Sequence, residues 1–522
     1  MSNDLEKRLQ DLQDKQFFTE LIIKRGIEKE FFRVTKDAQI SKKPHPRSLG
    51  SALTNRYITT DFAEAQLELV TPVFNEIDQL FDFLTSLHEF VAQNIDEEEM
   101  LWPFSMPPRI ENESDINLGY YHQSNIGLLK HVYRRGLKVR YGSTMQCVSG
   151  MHYNFSLSDS SLTKITQQSS QDSFDEAYLG LIRNFKRIFW FVLSEFGQTN
   201  IVDKSFVKNR EHQLDELNKN DMYLKDATSL RMSDIGYVSD AQKSLNVKYN
   251  SLEEFLEKIN KAIKIPFKDF QEKGLLDSSG NYQQISNGVI QIENEYYDSI
   301  RPKRASEENI RPYDQLKKHG IEYLEIRGVD IDPNELLGIS KHHVQFLDLI
   351  LLYCLILPSP KISDEEKIDI DKNDIESVYR GRNKEATLIK EGSMVNLHEE
   401  RKKIFDDLKI MAKYMKNSKE VISSIDYVDN YEKGSIPNIA FQEHGTIKAH
   451  EMTTKLRKSQ NSNFDSIKKE AELSLQKLSN IPTNSEIEMN NYVKNYNNNL
   501  WGEIMKALQC VELGMPDKLQ VN

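Results

Sequence analysis

The sequence has few cysteines, and none of them are spaced as a metal site or a disulfide framework would require. The 522 residues include three, Cys147, Cys354 and Cys510, which lie far apart and form no C-x-x-C. A thiolate zinc site or a disulfide-stabilised fold is therefore disfavoured. A protein of the reducing cytosol is expected instead.

Long hydrophobic runs are also lacking. The longest, FLDLILLYCLIL at 346–357, contains Asp348 and is shorter than the roughly 20 residues that span a bilayer. The first residues, MSNDLEKRLQDLQDKQ, are charged and contain no apolar core of a signal peptide. We therefore expect a cytoplasmic protein with no membrane partner, in which 346–357 forms a buried helix.

Positive charge is in short supply. Lysine and arginine number 68 against 80 acidic residues, which gives a net charge of −12. This balance disfavours nonspecific binding to a phosphate backbone, so nucleic acid is not an expected partner. The 24 Phe and 22 Tyr are typical of a folded globular chain and not of a disordered one.

The common nucleotide-binding and hydrolase motifs are absent as well. The sequence contains no G-x-x-x-x-G-K-[ST] and no G-x-G-x-x-G after a strand-like segment, and it lacks H-E-x-x-H and G-x-S-x-G. A P-loop and a Rossmann site are therefore excluded as phosphate cradles. Any nucleotide would have to be held by metal ions and arginines.

The hydrophobic patterning indicates a mixed α+β fold. Leu5, Leu9 and Leu12 follow helical spacing, and long helical stretches such as SFDEAYLGLIRNFKRIFWFVLSEFG separate segments rich in β-branched and aromatic residues. The strand-like segments are IIKRGIEKEFFRV, RYITT, QLELV, TMQCVSGMHYNFSL, GVIQIENEYY and IEYLEIRGVDI. The chain then becomes polar with amphipathic helices, so we expect a catalytic α+β core over 1–358 and a helical region over 359–522.

Two glutamates in the segment GIEKEFFRV raise the question of what neutralises them. Alternate side chains of a strand share a face, so Glu28 and Glu30 would point the same way, opposite to Ile27 and Phe31. Further ionisable groups in strand-like segments are Asp61, Glu68, His152 and the pair Glu325 and Arg327. Buried carboxylates are costly unless they are paired or bind a metal.

Each of these features taken alone has a simpler reading. A glutamate pair is more often half of a solvated strand face, Glu325 and Arg327 could each join a cross-strand salt bridge, and His152 could be a structural histidine. Their joint occurrence favours a hard divalent cation, Mg²⁺ or Mn²⁺. Because Mg²⁺ usually completes its coordination with water and phosphate oxygens, a nucleotide is indicated.

Eight stretches, in sequence order, resemble the motifs of one family, the proteobacterial type of glutamate-cysteine ligase. They are RGIEKEFFRV, ITTDFAEAQLELVTPV, LWPFSMPP, KHVYRRGLKVRYG, MQCVSGMHYNFSL, TSLRMSDIGY, IQIENEYYDSIRPKR and YLEIRGVDIDP, and they cover about residues 24 to 340. The resemblance implies a mostly antiparallel, glutamine-synthetase-like catalytic sheet surrounded by helices. It also implies ATP-dependent ligation of the L-glutamate γ-carboxylate to the L-cysteine amino group, through γ-glutamyl phosphate, in the first step of glutathione biosynthesis. Mg²⁺, with Mn²⁺ as a substitute, is the implied cofactor, and a monomer is expected.

The resemblance also implies roles for individual residues. It gives the metal ligands as Glu28, Glu30, Asp61, Glu68, His152 and Glu325. It gives the cysteine pocket as Phe62, Tyr133, Leu137, Gln146, Arg231, Tyr237 and Tyr297. Arg327 would steady the transferred phosphoryl group beside Glu325 and His152, and Arg231 would hold the cysteine carboxylate. Arg301, Lys303 and Arg304 form a basic cluster that either contacts nucleotide phosphates or is a solvated loop.

Other functions stay open at this point. A γ-glutamyl ligase of the same architecture could use a different amine, and a noncatalytic relative could bind glutamate or nucleotide without turnover. A guanidino-kinase-like phosphotransferase of related architecture would release a phosphorylated small molecule and form no peptide bond.

Overall fold

The computed structural model of the chain describes residues 2–236, 240–305, 311–434, 437–485, 488 and 490–494. The strands are β1 Ile23–Thr35, β2 Ile58–Thr60, β3 Gln66–Val70, β4 Glu99–Leu101, β5 Met151–Leu157, β6 Ile201–Asp203, β7 Asp215–Glu216, β8 Asp221–Tyr223, β9 Ile300–Lys303, β10 Tyr323–Val329, β11 Thr387–Lys390 and β12 Ser393–Asn396. The helices are α1 Ser2–Asp14, α2 Ile77–Asn94, α3 Asn125–Tyr141, α4 Asp159–Thr166, α5 Gln171–Arg187, α6 Phe189–Phe196, α7 Asp240–Lys243, α8 Leu252–Lys264, α9 Lys268–Glu272, α10 Pro312–His319, α11 Lys341–Ile356, α12 Asp364–Arg380, α13 Leu397–Ala412, α14 Ser418–Asn430, α15 Phe441–Arg457 and α16 Phe464–Ser479.

A seven-stranded sheet is the centre of the fold. Its strand order is β2-β3-β1-β5-β10-β9, and β4 pairs with the end of β1. Every one of these pairings is antiparallel. The mixed α+β class and the antiparallel sheet expected from the sequence are therefore confirmed.

Strand β1 separates two environments, as its alternation predicts. Ile27 and Phe31 are buried on the face that packs against helices, while Glu28 and Glu30 point to the opposite face. Lys29 shares the helix-covered face and places its Nζ 3.0 Å from His88 Nε2. One face of the sheet therefore builds the core, which leaves the other for charged groups.

Helix α11 is the buried helix expected from the longest apolar run. The Asp348 carboxylate within it accepts hydrogen bonds from Arg25 Nε, at 2.7 Å, and from the Tyr153 hydroxyl. These two partners on β1 and β5 satisfy the charge, because a buried carboxylate needs both a counter-charge and hydrogen bonds. Within the described residues, no helix is both long enough and apolar enough to cross a membrane.

The C-terminal region is largely helical, as expected. Phe405 and Leu408 of α13 and Ile425 of α14 belong to the same apolar core as α11. The division at residue 358 stays a prediction. The hairpin of β11 and β12 was not expected, since a four-residue strand carries little alternation.

The strand expected over GVIQIENEYY, 288–297, does not form. Residues 293–295 adopt a 3₁₀ turn, and the backbone N–H of Gln291 donates to Glu295 Oε2 at 2.7 Å. Side chains here take the backbone hydrogen bonds that a neighbouring strand would have supplied. The strand prediction was wrong, although the segment still borders the cavity described next.

Candidate active site

The ionisable side chains of the strands converge because of the strand register. Glu28 pairs with His152, Glu30 with Glu68, and Glu325 with Asn154 on one side and Arg301 on the other. Residues paired across antiparallel strands point to the same face of the sheet. Strands β3, β1, β5, β10 and β9 therefore present one continuous charged face.

His152 lies at the centre of this face. Its Nδ1 is 3.4 Å from Glu28 Oε2 and 3.8 Å from Glu325 Oε1, and its Nε2 is 3.6 Å from Glu30 Oε1. Ligand atoms of Glu28, His152 and Glu325 all lie within 4.8 Å of one another. Asn154 Nδ2 donates to Glu28 Oε1 at 2.8 Å, which orients that carboxylate as the hydrogen-bonded supports of metal ligands do.

A cavity of about 280 Å³ opens over the charged face. Its lining includes all six predicted metal ligands, Glu28, Glu30, Asp61, Glu68, His152 and Glu325, together with Arg301, Lys303, Arg327, Phe62, Tyr133 and Leu137. The sequence-predicted residues are thus brought together, although they come from segments up to three hundred residues apart. Their individual roles stay predictions.

Two carboxyl groups in the cavity repel their neighbours. Burial and the charge of Asp61 raise the pKa of Glu30 to about 8. Burial, with the charges of Asp61, Glu28 and Glu30, raises the pKa of Glu68 well above its usual range. Such an environment favours the protonated form of a carboxyl group, or a bound cation in place of the proton. This oxygen-rich donor set fits a divalent metal ion of the Mg²⁺ type.

Glu325 has the opposite environment. Burial opposes its ionisation, but Arg301, Lys303 and Arg327 together hold its pKa well below the usual range. Arg301 donates from Nε and Nη2 to Glu325 Oε2 at 3.0 and 2.7 Å, and Arg327 Nη1 donates to Oε1 at 3.0 Å. Glu325 is therefore an ionised carboxylate fixed in direction.

The surroundings of His152 favour its neutral form. Burial and the nearby charge of Arg327 lower the pKa of His152, and the contact with Glu28 only partly offsets them. A neutral imidazole is the form that binds a metal ion.

A smaller pocket adjoins the cavity. It has a volume of about 40 Å³ and is lined in part by Tyr133, Leu137, Gln146 and Tyr297, all of which belong to the predicted cysteine pocket. Arg327, Tyr133 and Leu137 line both spaces, and the Arg327 guanidinium lies 5.4 Å from the centre of the Tyr297 ring. Arg327 therefore lies where the two spaces meet.

Helix α3 supplies two cations that the sequence reasoning missed. Lys130 and Arg134 line the cavity beside Tyr133 and Leu137, and the guanidinium of Arg134 donates to the backbone carbonyls of Thr60, at 3.2 Å, and Asp61. The four side chains at i, i+3, i+4 and i+7 share one helix face. That spacing in KHVYRRGLKVRYG was the signal that could have identified them.

Arg231, predicted for the cysteine pocket, is not among the described residues that line the smaller pocket, but it contacts the backbone of Arg327, which does line it. The side chain is 2% exposed; its Nε donates to Asp330 Oδ1 at 2.7 Å, and its Nη2 to the carbonyls of Arg327 and Val329 at 3.0 and 2.8 Å. The structure thus shows Arg231 fixing the end of β10, next to Arg327. Its contact with a substrate carboxylate stays a prediction.

The three members of the basic cluster separate. Arg301 and Lys303 face the cavity, whereas Arg304 donates from Nε to the Gly320 carbonyl at 2.7 Å and from Nη2 to the His319 carbonyl at 2.6 Å. Arg304 therefore supports the C-terminus of α10 and is not among the described residues of the cavity lining. Tyr237, also predicted for the cysteine pocket, lies outside the described residues.

An antiparallel sheet whose face presents clustered carboxylates and arginines to a cavity is the architecture expected of an ATP-dependent carboxylate-amine ligase, and the chain has this architecture. The family model described as glutamate-cysteine ligase matches residues 7–377. The chain belongs to the glutamate-cysteine ligase family.

Known relatives agree with this membership. The chain is 42% identical over 395 residues to a glutamate-cysteine ligase of Hahella chejuensis, covering 75% of each chain. It is 43% identical over 388 residues to one of Alcanivorax borkumensis, covering 72% of this chain and 73% of the relative.

Solved structures agree as well. The glutamate-cysteine ligase of Francisella tularensis in complex with AMP superposes with a TM-score of 0.87 at 31% identity, over 92% of this chain and 99% of that one. A bifunctional glutathione synthetase of Pasteurella multocida shares the fold, with a TM-score of 0.60 at 23% identity over 89% of this chain and 54% of that one. The family resemblance and the expected fold are confirmed.

Proposed function

We propose that this enzyme uses ATP to join the γ-carboxylate of L-glutamate to the amino group of L-cysteine, in the cytoplasm, as the first step of glutathione synthesis. The observation that supports this most is the position of Arg327. It touches Glu325 on the charged face and also lines the small adjoining pocket. Arg327 can therefore stabilise phosphoryl transfer in the cavity and lie beside the acceptor substrate in the adjoining pocket.

The residues that would hold Mg²⁺ are those that converge around His152. Glu28, His152 and Glu325 form the tightest group, and Glu30, Asp61 and Glu68 extend it along the cavity. When bound there, Mg²⁺ would neutralise charge on the polyphosphate and on the transferred phosphoryl group. Mn²⁺ prefers the same oxygen-rich ligands and is the expected substitute.

The chemistry needs activation because a carboxylate is a poor acylating agent. The γ-carboxylate oxygen attacks the terminal phosphorus of ATP, ADP leaves, and the resulting acyl phosphate has a good leaving group. The neutral amine then attacks the acyl carbon: a C–N bond forms, the C–O bond to phosphate breaks, and the amine loses a proton. Arg327 and Arg301 supply fixed positive charge beside this path.

The adjoining pocket favours a small acceptor. Its volume of about 40 Å³ suits a short side chain, and its narrow walls combine Tyr133, Leu137 and Tyr297 with polar side chains such as Gln146, Gln242 and Glu295. Such walls would exclude water and protect an acyl phosphate from hydrolysis. A small amino acid such as cysteine fits these requirements.

The test is to remove one charged group at a time. We expect Glu28→Gln and Arg327→Ala each to lower kcat for ADP release in the presence of glutamate and cysteine by about 10²-fold or more, the size typical of a lost electrostatic group. Glu322→Gln, a change at an exposed carboxylate just before β10, is the matched control and should retain full activity. Circular dichroism would confirm that all three variants are folded.

Full activity in Glu28→Gln or Arg327→Ala would contradict the proposal. Product analysis by mass spectrometry separates the remaining alternatives. Cysteine should react more efficiently than 2-aminobutyrate or glycine. A preference for another amine would indicate a different γ-glutamyl ligase, and a phosphorylated product without a peptide bond would indicate a phosphotransferase.

A further inference from the structure

The last described residues of the chain return to the wall of the cavity. The backbone N–H of Asn484 donates to the Gln123 carbonyl at 2.8 Å, and Asn490 Nδ2 donates to Asn281 Oδ1 at 3.2 Å. Residues 490–494 are helical, and the Val493 side chain is fully buried. This stretch lies beyond residues 7–377, the part that the family model matches.

Val493 completes a small apolar cluster, separate from the main core. The cluster contains Val132, Ile285 and Val493 as buried residues, with Leu128, Leu129, Tyr133, Tyr282, Ile292 and Tyr492 packed against them. Four of its members, Leu129, Tyr133, Ile285 and Ile292, also line the cavity over the charged face. The cluster therefore joins the C-terminal segment on one side to the cavity wall on the other.

Helix α3 depends on this cluster for much of its packing. Its buried residues are Gly127, Val132, Gly136, Leu137 and Arg140. Only Val132 and Leu137 among them are aliphatic, and Val132 is the one in the cluster of Val493. Ile126 near the helix start is 47% exposed. Loss of Val493 would thus uncover one of the two aliphatic anchors of the helix.

The same helix carries four side chains that line the cavity. Lys130, Tyr133, Arg134 and Leu137 all point into the cavity, and Gln291 ties the helix to the opposite loop by donating from Nε2 to the Tyr133 carbonyl at 3.1 Å. A shift of the helix axis would move all four side chains together. Small misplacements of binding groups carry a large kinetic cost.

We propose that Tyr492 and Val493 are positioning residues that set the affinity of the active site for its substrates by holding α3 and the 282–292 loop against each other. This inference rests on the proposed function, because the affinity in question is that for ATP, glutamate and cysteine. It assigns a part in the reaction to a segment that neither touches the reacting atoms nor lies in the matched part of the chain.

The test uses the full-length protein with Val493→Asp, Val493→Ala and the conservative Val493→Ile. We expect Val493→Asp to raise KM for at least one substrate by about tenfold, with a smaller change in kcat because the metal ligands and Arg327 are not altered. Val493→Ala should show the same effect more weakly, and Val493→Ile should restore wild-type KM.

Ile467→Ala is the matched control, since Ile467 is equally buried but packs in a different cluster with Phe90 and Leu49. It should lower the melting temperature and leave KM unchanged. Hydrogen exchange of 125–141 gives a readout that needs no turnover and should accelerate in Val493→Asp, less in Val493→Ala, and not in Ile467→Ala. Unchanged KM, or unchanged exchange in that helix, would overturn the inference.

The outcomes also separate this inference from the proposed function. A wild-type protein that forms no γ-glutamylcysteine would contradict the proposed function. The positioning role would then be judged by the affinity for MgADP, which should fall in Val493→Asp if Val493 positions the cavity wall. If the wild type is active and Val493→Asp matches it in every parameter, only the positioning role is contradicted.

Discussion

At the scale of single residues, charge decides what each carboxylate can do. Glu30 and Glu68 lie among other carboxylates and have raised pKa values, whereas Glu325 lies among three cations and has a lowered pKa. The face is therefore divided. On one side the neighbouring carboxylates favour a proton or a bound cation, and on the other the neighbouring cations favour ionisation.

The division predicts different outcomes for two arginines that are three residues apart. We expect Arg301→Met to lower kcat for ADP release by roughly 10²-fold, because Glu325 loses the guanidinium that fixes it and the cavity loses a positive charge. Among the described residues, the Arg304 guanidinium that Arg304→Met removes contacts carbonyls near the end of α10 and the side chains of Gln171 and Glu322. Arg304→Met should keep wild-type kcat and serves as the control.

Steady-state kinetics with saturating substrates would measure both variants. Equal activity of Arg301→Met and the wild type would show that activity does not depend on the contact between Arg301 and Glu325. A loss in Arg304→Met as large as that in Arg301→Met would show that the effect is not specific to the guanidinium that faces the cavity.

Sequence reasoning identified the charged residues better than their surroundings. The alternation in GIEKEFFRV was enough to put Glu28 and Glu30 on one face, because a strand has a fixed period of two. The packing of Arg231 against Asp330 could not be read from sequence, since the two residues are 99 positions apart. Lys130 and Arg134 could have been found, because helical spacing is local.

At the scale of elements, α3 and the 282–292 loop form one wall of the cavity beside the sheet, and they meet at Gly136. A Cβ on Gly136 would lie 2.0 Å from Gln291 Oε1. That oxygen accepts the Ile285 N–H at 3.0 Å. The absence of a side chain at this position therefore permits the close approach of helix and loop.

Gly136→Ala should raise KM for the acceptor amine, because the new methyl group displaces Gln291 and with it the carbonyl contact to Tyr133. The same exchange at Gly180 in α5 is the control. There a Cβ would be 3.5 Å from Ser359 Cβ, an ordinary contact. Gly180→Ala should gain up to about 1 kcal/mol of stability from helix propensity.

Thermal unfolding and acceptor kinetics would compare the two variants. A Gly136→Ala enzyme with unchanged KM and increased stability would show that the helix and loop are not held at a fixed distance.

At the scale of the whole molecule, the two faces of the sheet have different roles. Its helix-covered face builds a core that includes α11, α13 and α14, and its open face carries the charges. The mixed class and the antiparallel sheet could be predicted because alternation and family motifs lie on the strands themselves. The short hairpin of β11 and β12 could not, and neither could the loop at 288–297, where side chains replace strand hydrogen bonds.

The arrangement of the whole cavity supports one central claim: the charged face activates a carboxylate by phosphorylation before the amine attacks. The most direct measurement follows the oxygen atoms of glutamate labelled with ¹⁸O in the γ-carboxylate, in a reaction with ATP, Mg²⁺ and cysteine. We expect one ¹⁸O to appear in inorganic phosphate and one to remain in the amide of γ-glutamylcysteine for each peptide bond formed. Phosphate free of ¹⁸O, with labelled product formed, would contradict the acyl-phosphate route.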